Sequence, residues 1–270
     1  MSVLSVATLP ESFARHLRTA RDLAEAHRRT PEEEVFPTTC PGFDRLLDGG
    51  LRRGEMVELV GGRSSGRFSL VLKALASATA VGEVAALVDL GDGFDPQAAE
   101  TAGVHLDRLL WVRPRTTKEA LLSAEAILSC GIPLLVLDLG LPPIPGGRGA
   151  EAAWLRLQRR AFGHRAALLV ASPYRATGTA PRTVLRAREV RPQWHGQHVT
   201  TPLLTGLDTR LERVKQRHVS GDVSPEKLVL QHGDVVGRPS VVETTAPEDS
   251  TVVDFDRHRR GMTTRRKAVV

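Results

Sequence analysis

The sequence predicts an α/β protein with a mostly parallel central sheet, helices on both faces of that sheet, and an antiparallel β extension at its C-terminal side. Strand and helix patterns alternate from residue 55 to residue 172, the order that builds a parallel sheet. The strands are continuously apolar, as in LLVLD at 134–138 and LLVAS at 168–172. Such strands are expected to be covered by helices on both faces. After residue 183 the pattern becomes rich in β signals.

The N-terminal segment carries a helix pattern over residues 11–28, where apolar side chains recur at helical spacing and Pro31 ends the run. A tract rich in Pro and Gly follows, with a short helical stretch at 43–50. We divide the chain into an N-terminal helix and linker at 1–34, a core domain at 35–236, and a basic, polar tail at 237–270. The composition of that tail predicts disorder.

Within the core domain the elements follow one another with short connections. Helices are expected at 67–80, 95–102, 117–130 and 150–163. Strands are expected between and after them at 55–60, 84–90, 109–112, 133–139, 166–172, 183–190, 207–217 and 227–231.

The net charge of +6 is unevenly distributed along the 270 residues. Residues 1–147 carry a net charge of −4, residues 148–191 carry +8, and residues 192–270 carry +2. The middle block holds ten arginines against two glutamates. A preference for Arg over Lys explains the choice of cation but not this local excess. The block therefore indicates a polyanion or an acidic protein partner.

Composition narrows the function classes. No apolar run approaches the length of a membrane span, and the N-terminus lacks the pattern of a secretory signal. The only cysteines, Cys40 and Cys130, lie 90 residues apart, which excludes a disulfide scaffold or a cysteine-built zinc site. The nine histidines show no metal-ligand spacing. We expect a cytoplasmic protein without a membrane partner or a metal.

A glycine loop stands between the strand at 55–60 and the helix at 67–80. Its glycines, Gly61 and Gly66, have the spacing of the phosphate-binding motif G-x-x-x-x-G-K-[ST]. Arg67 replaces the lysine of that motif, and Phe68 replaces the hydroxyl residue that binds Mg²⁺. Ser69 comes one residue too late, on another side of the helix. Asp138, at the end of LLVLD, has the position of the Walker-B carboxylate.

The stretch CPGFDRLLDGGLRRGEMVELVGGRSSGR resembles the RecA segment that leads into the phosphate loop. The segment 87–114, LLVLD and LLVAS also resemble RecA, in the same order along the chain. The resemblance covers about 38–175 and implies a RecA-like core with a P-loop.

The same resemblance implies that the ATP-handling residues are lost. Gly91 stands where RecA proteins have the glutamate that activates water, Ala98 where an aromatic stacks on adenine, and Ser172 where a glutamine senses the γ-phosphate. Phosphoryl transfer depends on positioned charges and metal. We therefore expect a pseudo-ATPase without ATP as a cofactor and without catalytic residues.

A RecA-like chain with a degenerate ATPase site is similar to the ImuA proteins. That likeness implies a non-catalytic accessory of translesion synthesis in damage-induced mutagenesis (the SOS response). Its expected partners are ImuB-like polymerase subunits, RecA, single-stranded DNA, or several of these. Two alternatives stay open: a RecA antagonist or division inhibitor acting through protein contacts alone, and a divergent ATPase stimulated by DNA.

The loops that face DNA in RecA proteins correspond to 141–149 and 173–182, which the basic block spans. The candidate DNA- or partner-binding residues are Arg148, Arg156, Arg159, Arg160, Arg175, Arg182, Arg186 and Arg188, with Arg259, Arg260, Arg265 and Arg266 in the tail. Because aromatic residues are scarce there, phosphate contacts should dominate and binding should be sensitive to salt.

Alternative interpretations of the same features remain open. The arginines of the block could instead form a solvent-exposed helix face or contact an acidic protein surface. The helix at 11–28 could mediate self-association or pack on its own core. The tail could be a binding arm or a solubilising end.

Overall fold

The computed structural model describes residues 34–140, 150–196, 202–216 and 225–231. The strands are β1 (Val35–Phe36), β2 (Leu51–Arg52), β3 (Met56–Val60), β4 (Ala85–Asp89), β5 (Leu109–Val112), β6 (Leu134–Asp138), β7 (Ala167–Ser172), β8 (Thr183–His195), β9 (Leu203–Gln216) and β10 (Glu226–Gln231). The helices are α1 (Pro41–Leu46), α2 (Arg67–Ala80), α3 (Pro96–Thr101), α4 (Thr117–Ser129) and α5 (Ala150–Gly163), with a 3₁₀ turn at Leu106–Arg108.

Eight strands form one sheet in the order β10-β9-β8-β3-β7-β6-β4-β5. The six strands from β8 to β5 are parallel, whereas β9 and β10 pair antiparallel beside β8. This confirms the predicted parallel sheet and its antiparallel extension. A second sheet, the antiparallel pair of β1 and β2, was not predicted.

Helices cover both faces of the parallel strands, as predicted. One core cluster joins α1 and α2 to β3 through residues such as Phe43, Leu75 and Leu59. The other joins α4 and α5 to the opposite face, with Leu128 and Trp154 at its centre. The strands β3, β4, β6 and β7 are buried along their whole length, which explains their continuously apolar sequences.

The predicted and observed ends agree for most helices and strands. The helix predicted at 67–80 is α2 with the same bounds, and the helix predicted at 150–163 is α5. The helical stretch predicted at 43–50 begins earlier and is helical only to Leu46, after which the chain turns. The strands β8 and β9 are longer than predicted. Their outer halves are solvent-exposed and lack an apolar pattern, so the sequence did not indicate that they are strands. The helix predicted at 11–28 and the tail at 237–270 lie outside the described residues.

The carboxyl ends of the parallel strands meet at one edge of the sheet. Val60 pairs with Ser172, and Asp138 pairs with Asp89 on one side and Ala171 on the other. In open parallel sheets the loops at this edge build ligand sites. The glycine loop and Asp138 are therefore brought together at the edge where a site is expected.

Among the described residues, no helix is long and apolar enough to cross a membrane. Within the same residues, no group of His, Cys, Asp and Glu side chains has an arrangement that could hold a metal ion.

Candidate functional site

The glycine loop links β3 to α2 and needs both of its spaced glycines. Gly66 adopts a φ of +79° immediately before the helix, a conformation that side chains disfavour. A Cβ at Gly66 would lie 2.4 Å from Leu230, and one at Gly61 would lie 2.3 Å from the Ser65 hydroxyl. The amide of Gly61 donates to the Ser172 carbonyl at 2.9 Å, which fixes the loop to β7.

Arg67, the first residue of α2, folds back across this loop. Its guanidinium donates to the carbonyl oxygens of Gly61 and Gly140, each at 2.7 Å. It also donates to Oδ1 of Asp138 at 3.3 Å. The residue is only 7% exposed. The cation at the lysine position is thus engaged by groups of its own chain.

The charges of Arg67 and Asp138 depend on each other. Burial raises the pKa of Asp138 above its usual value, and the nearby Asp89 raises it further, while Arg67 and the Gly140 amide lower it. Burial lowers the pKa of Arg67, and Asp138 opposes that shift. An Arg guanidinium nevertheless stays protonated in proteins. Each member of the pair therefore compensates a charge that would otherwise be buried alone.

Phe68 and Ser69 follow on the first turn of α2 and are half-buried. Phe68 packs against the core cluster on the α2 face, so this position supplies an apolar ring where a metal-binding hydroxyl would be needed. Both residues line a depression of about 340 Å³, together with the loop, Gly91, Gly93, Gly140, Asp138 and Leu207.

Gly91 and Gly140 face each other across the same depression. A Cβ at Gly91 would lie 2.5 Å from the Gly140 Cα and 3.2 Å from its amide nitrogen. Any side chain at position 91 therefore requires the backbone at Gly140 to move. Ala98 is exposed on α3. Ser172 is buried and donates to the Glu58 carboxyl at 3.3 Å.

The described arginines of the basic block do not form one cluster. On α5, Arg156 and Arg160 both approach Glu125 of α4, at 3.7 and 3.8 Å, and Arg159 is exposed beside them. On the loop after β7, Arg175 donates to the Gly178 carbonyl at 3.1 Å.

Three further candidate arginines of the block lie on or next to β8. Arg182 pairs with Glu55 at the start of β3, and Arg188 pairs with Glu212 of β9 at 2.7 Å. Arg186 is half-buried on β8. The loop at 141–149 with Arg148, and the tail residues Arg259, Arg260, Arg265 and Arg266, lie outside the described residues.

Glu58 is a site residue that sequence reasoning missed. It is fully buried in the middle of β3. Its Oε1 accepts hydrogen bonds from the backbone amides of Ala176 at 2.6 Å and Thr177 at 3.1 Å. The loop at 173–182 is thereby held against the sheet. The sequence feature that could have indicated this role is the single carboxylate inside the apolar run MVELV, because a buried charge needs partners.

The sheet, the glycine loop at its carboxyl edge and the facing aspartate define an α/β protein of the P-loop type. The model of the RecA N-terminal domain matches residues 23–145 of this chain. Over 107 residues the chain is 42% identical to Protein RecA of Methylococcus capsulatus, which covers 39% of this chain and 31% of that protein. Over 176 residues it is 34% identical to Protein RecA of Tropheryma whipplei, covering 63% of this chain and 40% of that protein.

These comparisons confirm that the chain is RecA-like. The chain spans about a third of the length of the RecA proteins that it matches over 107 residues. The range matched by the RecA N-terminal domain model contains the glycine loop and Asp138, so the family likeness and the observed geometry refer to the same region.

Proposed function

We propose that this chain is a RecA-like protein that acts by binding and does not hydrolyse ATP. The observation that carries the proposal is the position of Arg67, whose guanidinium is bonded to Gly61, Gly140 and Asp138 inside the glycine loop. A phosphate group in the loop would have to replace three hydrogen bonds made by a buried cation. Hydrogen bonds to charged groups stabilise by about 1.5–3 kcal/mol each, so this arrangement opposes nucleotide entry.

Two further features support the absence of turnover. Phe68 offers no oxygen to a metal ion at the position where the motif needs a hydroxyl. At position 91, contact with Gly140 leaves no room for a carboxylate that could activate water. Phosphoryl transfer relies on positioned charges and metal, and these residues do not fit a nucleotide bound with Mg²⁺. We therefore derive no catalytic step through ATP.

Phosphate release from ATP tests this proposal. We expect the full chain to release no phosphate above background in a malachite-green assay, with or without single-stranded DNA. The Asp138→Asn variant is the matched control, since a contaminating ATPase would act equally in both preparations. DNA-stimulated release that disappears in Asp138→Asn would instead establish the divergent ATPase.

We infer that the biological role is that of an ImuA-type accessory in damage-induced translesion synthesis. The support is the combination of a RecA-like core with an arginine-filled glycine loop. Capture experiments with the full chain from damage-treated cells should recover ImuB-like polymerase subunits or RecA. Recovery of a cell-division protein without either would favour the division inhibitor, and recovery of RecA alone with loss of RecA activity would favour the antagonist.

Single-stranded DNA is the other partner class that the basic block favours. Several of its arginines already form ion pairs with carboxylates of the same protein, which lowers the positive charge available to phosphates. We expect weak, sequence-indifferent binding that decreases steeply with salt. Fluorescence anisotropy with a labelled oligonucleotide checks this, and no binding at about 50 mM salt, where phosphate contacts are strong, would remove DNA from the partners.

A further inference from the structure

An exposed apolar stripe runs along one face of the β8–β9 hairpin. Trp194 and Leu204 are 45% and 44% exposed and stand opposite each other in the strand register. Pro192, which is also exposed, pairs with Leu207. Because side chains alternate between the two faces of a strand, Pro192 and Trp194 lie on the same face as Leu207. We call these four residues the hairpin stripe.

The hairpin stripe continues into the depression beside the glycine loop. Leu207 lines that depression together with Phe68, and both side chains are half-buried against the core cluster on the α2 face. Thr209 follows on the same face of β9, and its methyl group would lie 3.5 Å from a Cβ at Gly66. This face of the hairpin is therefore turned towards the loop. The depression and the stripe form one apolar surface that starts at the glycine loop.

A cation stands at the loop end of this surface. Arg63 is exposed, lines the same depression and makes no ion pair with any residue that the structure describes. The other arginine of the loop, Arg67, is already held by Asp138 and two carbonyl oxygens. The surface thus offers one available positive charge, followed by a row of apolar side chains. Grouped apolar side chains on a surface mark contact sites.

We propose that this surface binds an extended segment of a partner protein, with a carboxylate beside Arg63 and apolar side chains along the hairpin stripe. Leu207 and Leu204 are three residues apart, about 10 Å along a strand, so a segment of about four to six residues covers the stripe and the loop end. Trp194 is the main anchor, since Trp is enriched among the residues that dominate binding energy. The inference deepens the proposed function and rests on it, because the segment takes a depression that a nucleotide would otherwise occupy.

The chemistry of the surface favours a polypeptide over a nucleic acid. A nucleic acid needs a row of cations along its phosphates. Arg63 alone supplies such a cation at the depression, and Arg188, on the same strand as Trp194, already pairs with Glu212. A polypeptide with one carboxylate and several apolar residues satisfies the cation and the stripe together.

Selection from a phage-displayed library of random 12-residue peptides on the immobilised full chain tests the proposal. We expect the enriched sequences to share an Asp or Glu within about six positions of two or more apolar residues. Fluorescein-labelled synthetic versions should bind the parent chain. Trp194→Ser and Arg63→Glu should each weaken that binding about 10-fold or more.

Matched controls are available for both substitutions. Leu122→Ser changes an apolar residue that is 54% exposed on α4, and Arg115→Glu reverses the charge of an exposed arginine after β5. Each should change peptide binding by less than about 2-fold, because surface substitutions away from a contact have small effects. Circular dichroism checks that all four variants are folded.

Further outcomes decide the proposal. A selection that enriches no peptide, enriched sequences without the expected pattern, or binding that a folded Trp194→Ser variant retains would overturn it. A parent dimer that Trp194→Ser dissociates, with peptides that bind neither form, would overturn it in favour of a second copy of this chain. Displacement of bound peptide by a single-stranded oligonucleotide, but not by unlabelled peptide, would overturn it in favour of a nucleic acid.

Competition with ATP and Mg²⁺ separates this inference from the proposed function. Peptide that ATP displaces would support the surface but contradict a loop that excludes nucleotide. A chain that releases no phosphate from ATP and binds no peptide would overturn the inference and leave the proposed function intact.

Discussion

Replacement of Arg67 by Met should destabilise the protein strongly, because it removes a buried cation with three acceptors. The Gly61 and Gly140 carbonyls, each 2.7 Å from the guanidinium, and the Asp138 carboxylate at 3.3 Å all lose a donor. Breaking a buried charge pair from one side costs about 3–5 kcal/mol. Met keeps most of the aliphatic volume, so little cavity is added. We expect the free energy of unfolding to fall by about 3 kcal/mol.

The loss should depend on pH with a defined sign. Arg67 lowers the pKa of Asp138, which burial raises; without Arg67 that pKa rises further above the value in the unfolded chain. The folded variant then binds a proton that the unfolded chain releases, so its stability decreases as pH rises through this interval. The deficit of Arg67→Met relative to the parent should therefore be smaller near pH 4.5 than at pH 8.

Urea unfolding followed by circular dichroism measures both effects. Arg63→Met is the matched control, because Arg63 is exposed in the same loop, and it should change stability by less than about 0.5 kcal/mol. Arg67→Met combined with Asp138→Asn should lose at least 1 kcal/mol less than the sum of the single variants, as expected for groups in contact. A deficit below about 0.5 kcal/mol for Arg67→Met, or one that is identical at both pH values, would refute the internal ion pair.

Two other substitutions test the packing around the site by urea unfolding. Gly91→Ala should cost about 1–3 kcal/mol, because its Cβ would lie 2.5 Å from the Gly140 Cα, whereas Gly93→Ala, with nothing within 4 Å, should be nearly neutral; equal effects would contradict the close contact. Glu58→Ala should cost about 2–4 kcal/mol by leaving buried loop amides without an acceptor, and trypsin should cleave faster after Arg175. Unchanged cleavage in that variant would show that Glu58 does not hold the loop.

The sequence predicted the fold well, because the relevant signals are local. Apolar runs such as LLVLD identify strands that are covered on both faces, and helical periodicity set the bounds of α2. The β1–β2 pair escaped prediction, since strands of two residues have too few side chains to show a period. The outer halves of β8 and β9 escaped for a related reason: they are largely solvent-exposed, and their few apolar residues do not recur at a strand period.

The site was predictable in composition but not in arrangement. The spacing of Gly61 and Gly66 identified the loop. The departures from the phosphate-binding motif at Arg67 and Phe68 were evident from the residue types alone. The direction of the Arg67 side chain depends on Asp138 and Gly140, more than 70 residues away. The ion pairs of Arg182 and Arg188 likewise join distant segments. Net charge per segment could not show that these arginines were already partnered.

The arginine inside the glycine loop has a consequence for how this protein could be regulated. A protein whose conformation differs between its nucleoside triphosphate and nucleoside diphosphate complexes changes shape with the energy supply of the cell. Under the proposed function, Arg67 always fills the loop. The loop therefore does not alternate between two ligands that could favour different conformations. The surfaces of this chain would then be equally available in starved and growing cells, and their use would be set by the amount of protein and of its partners.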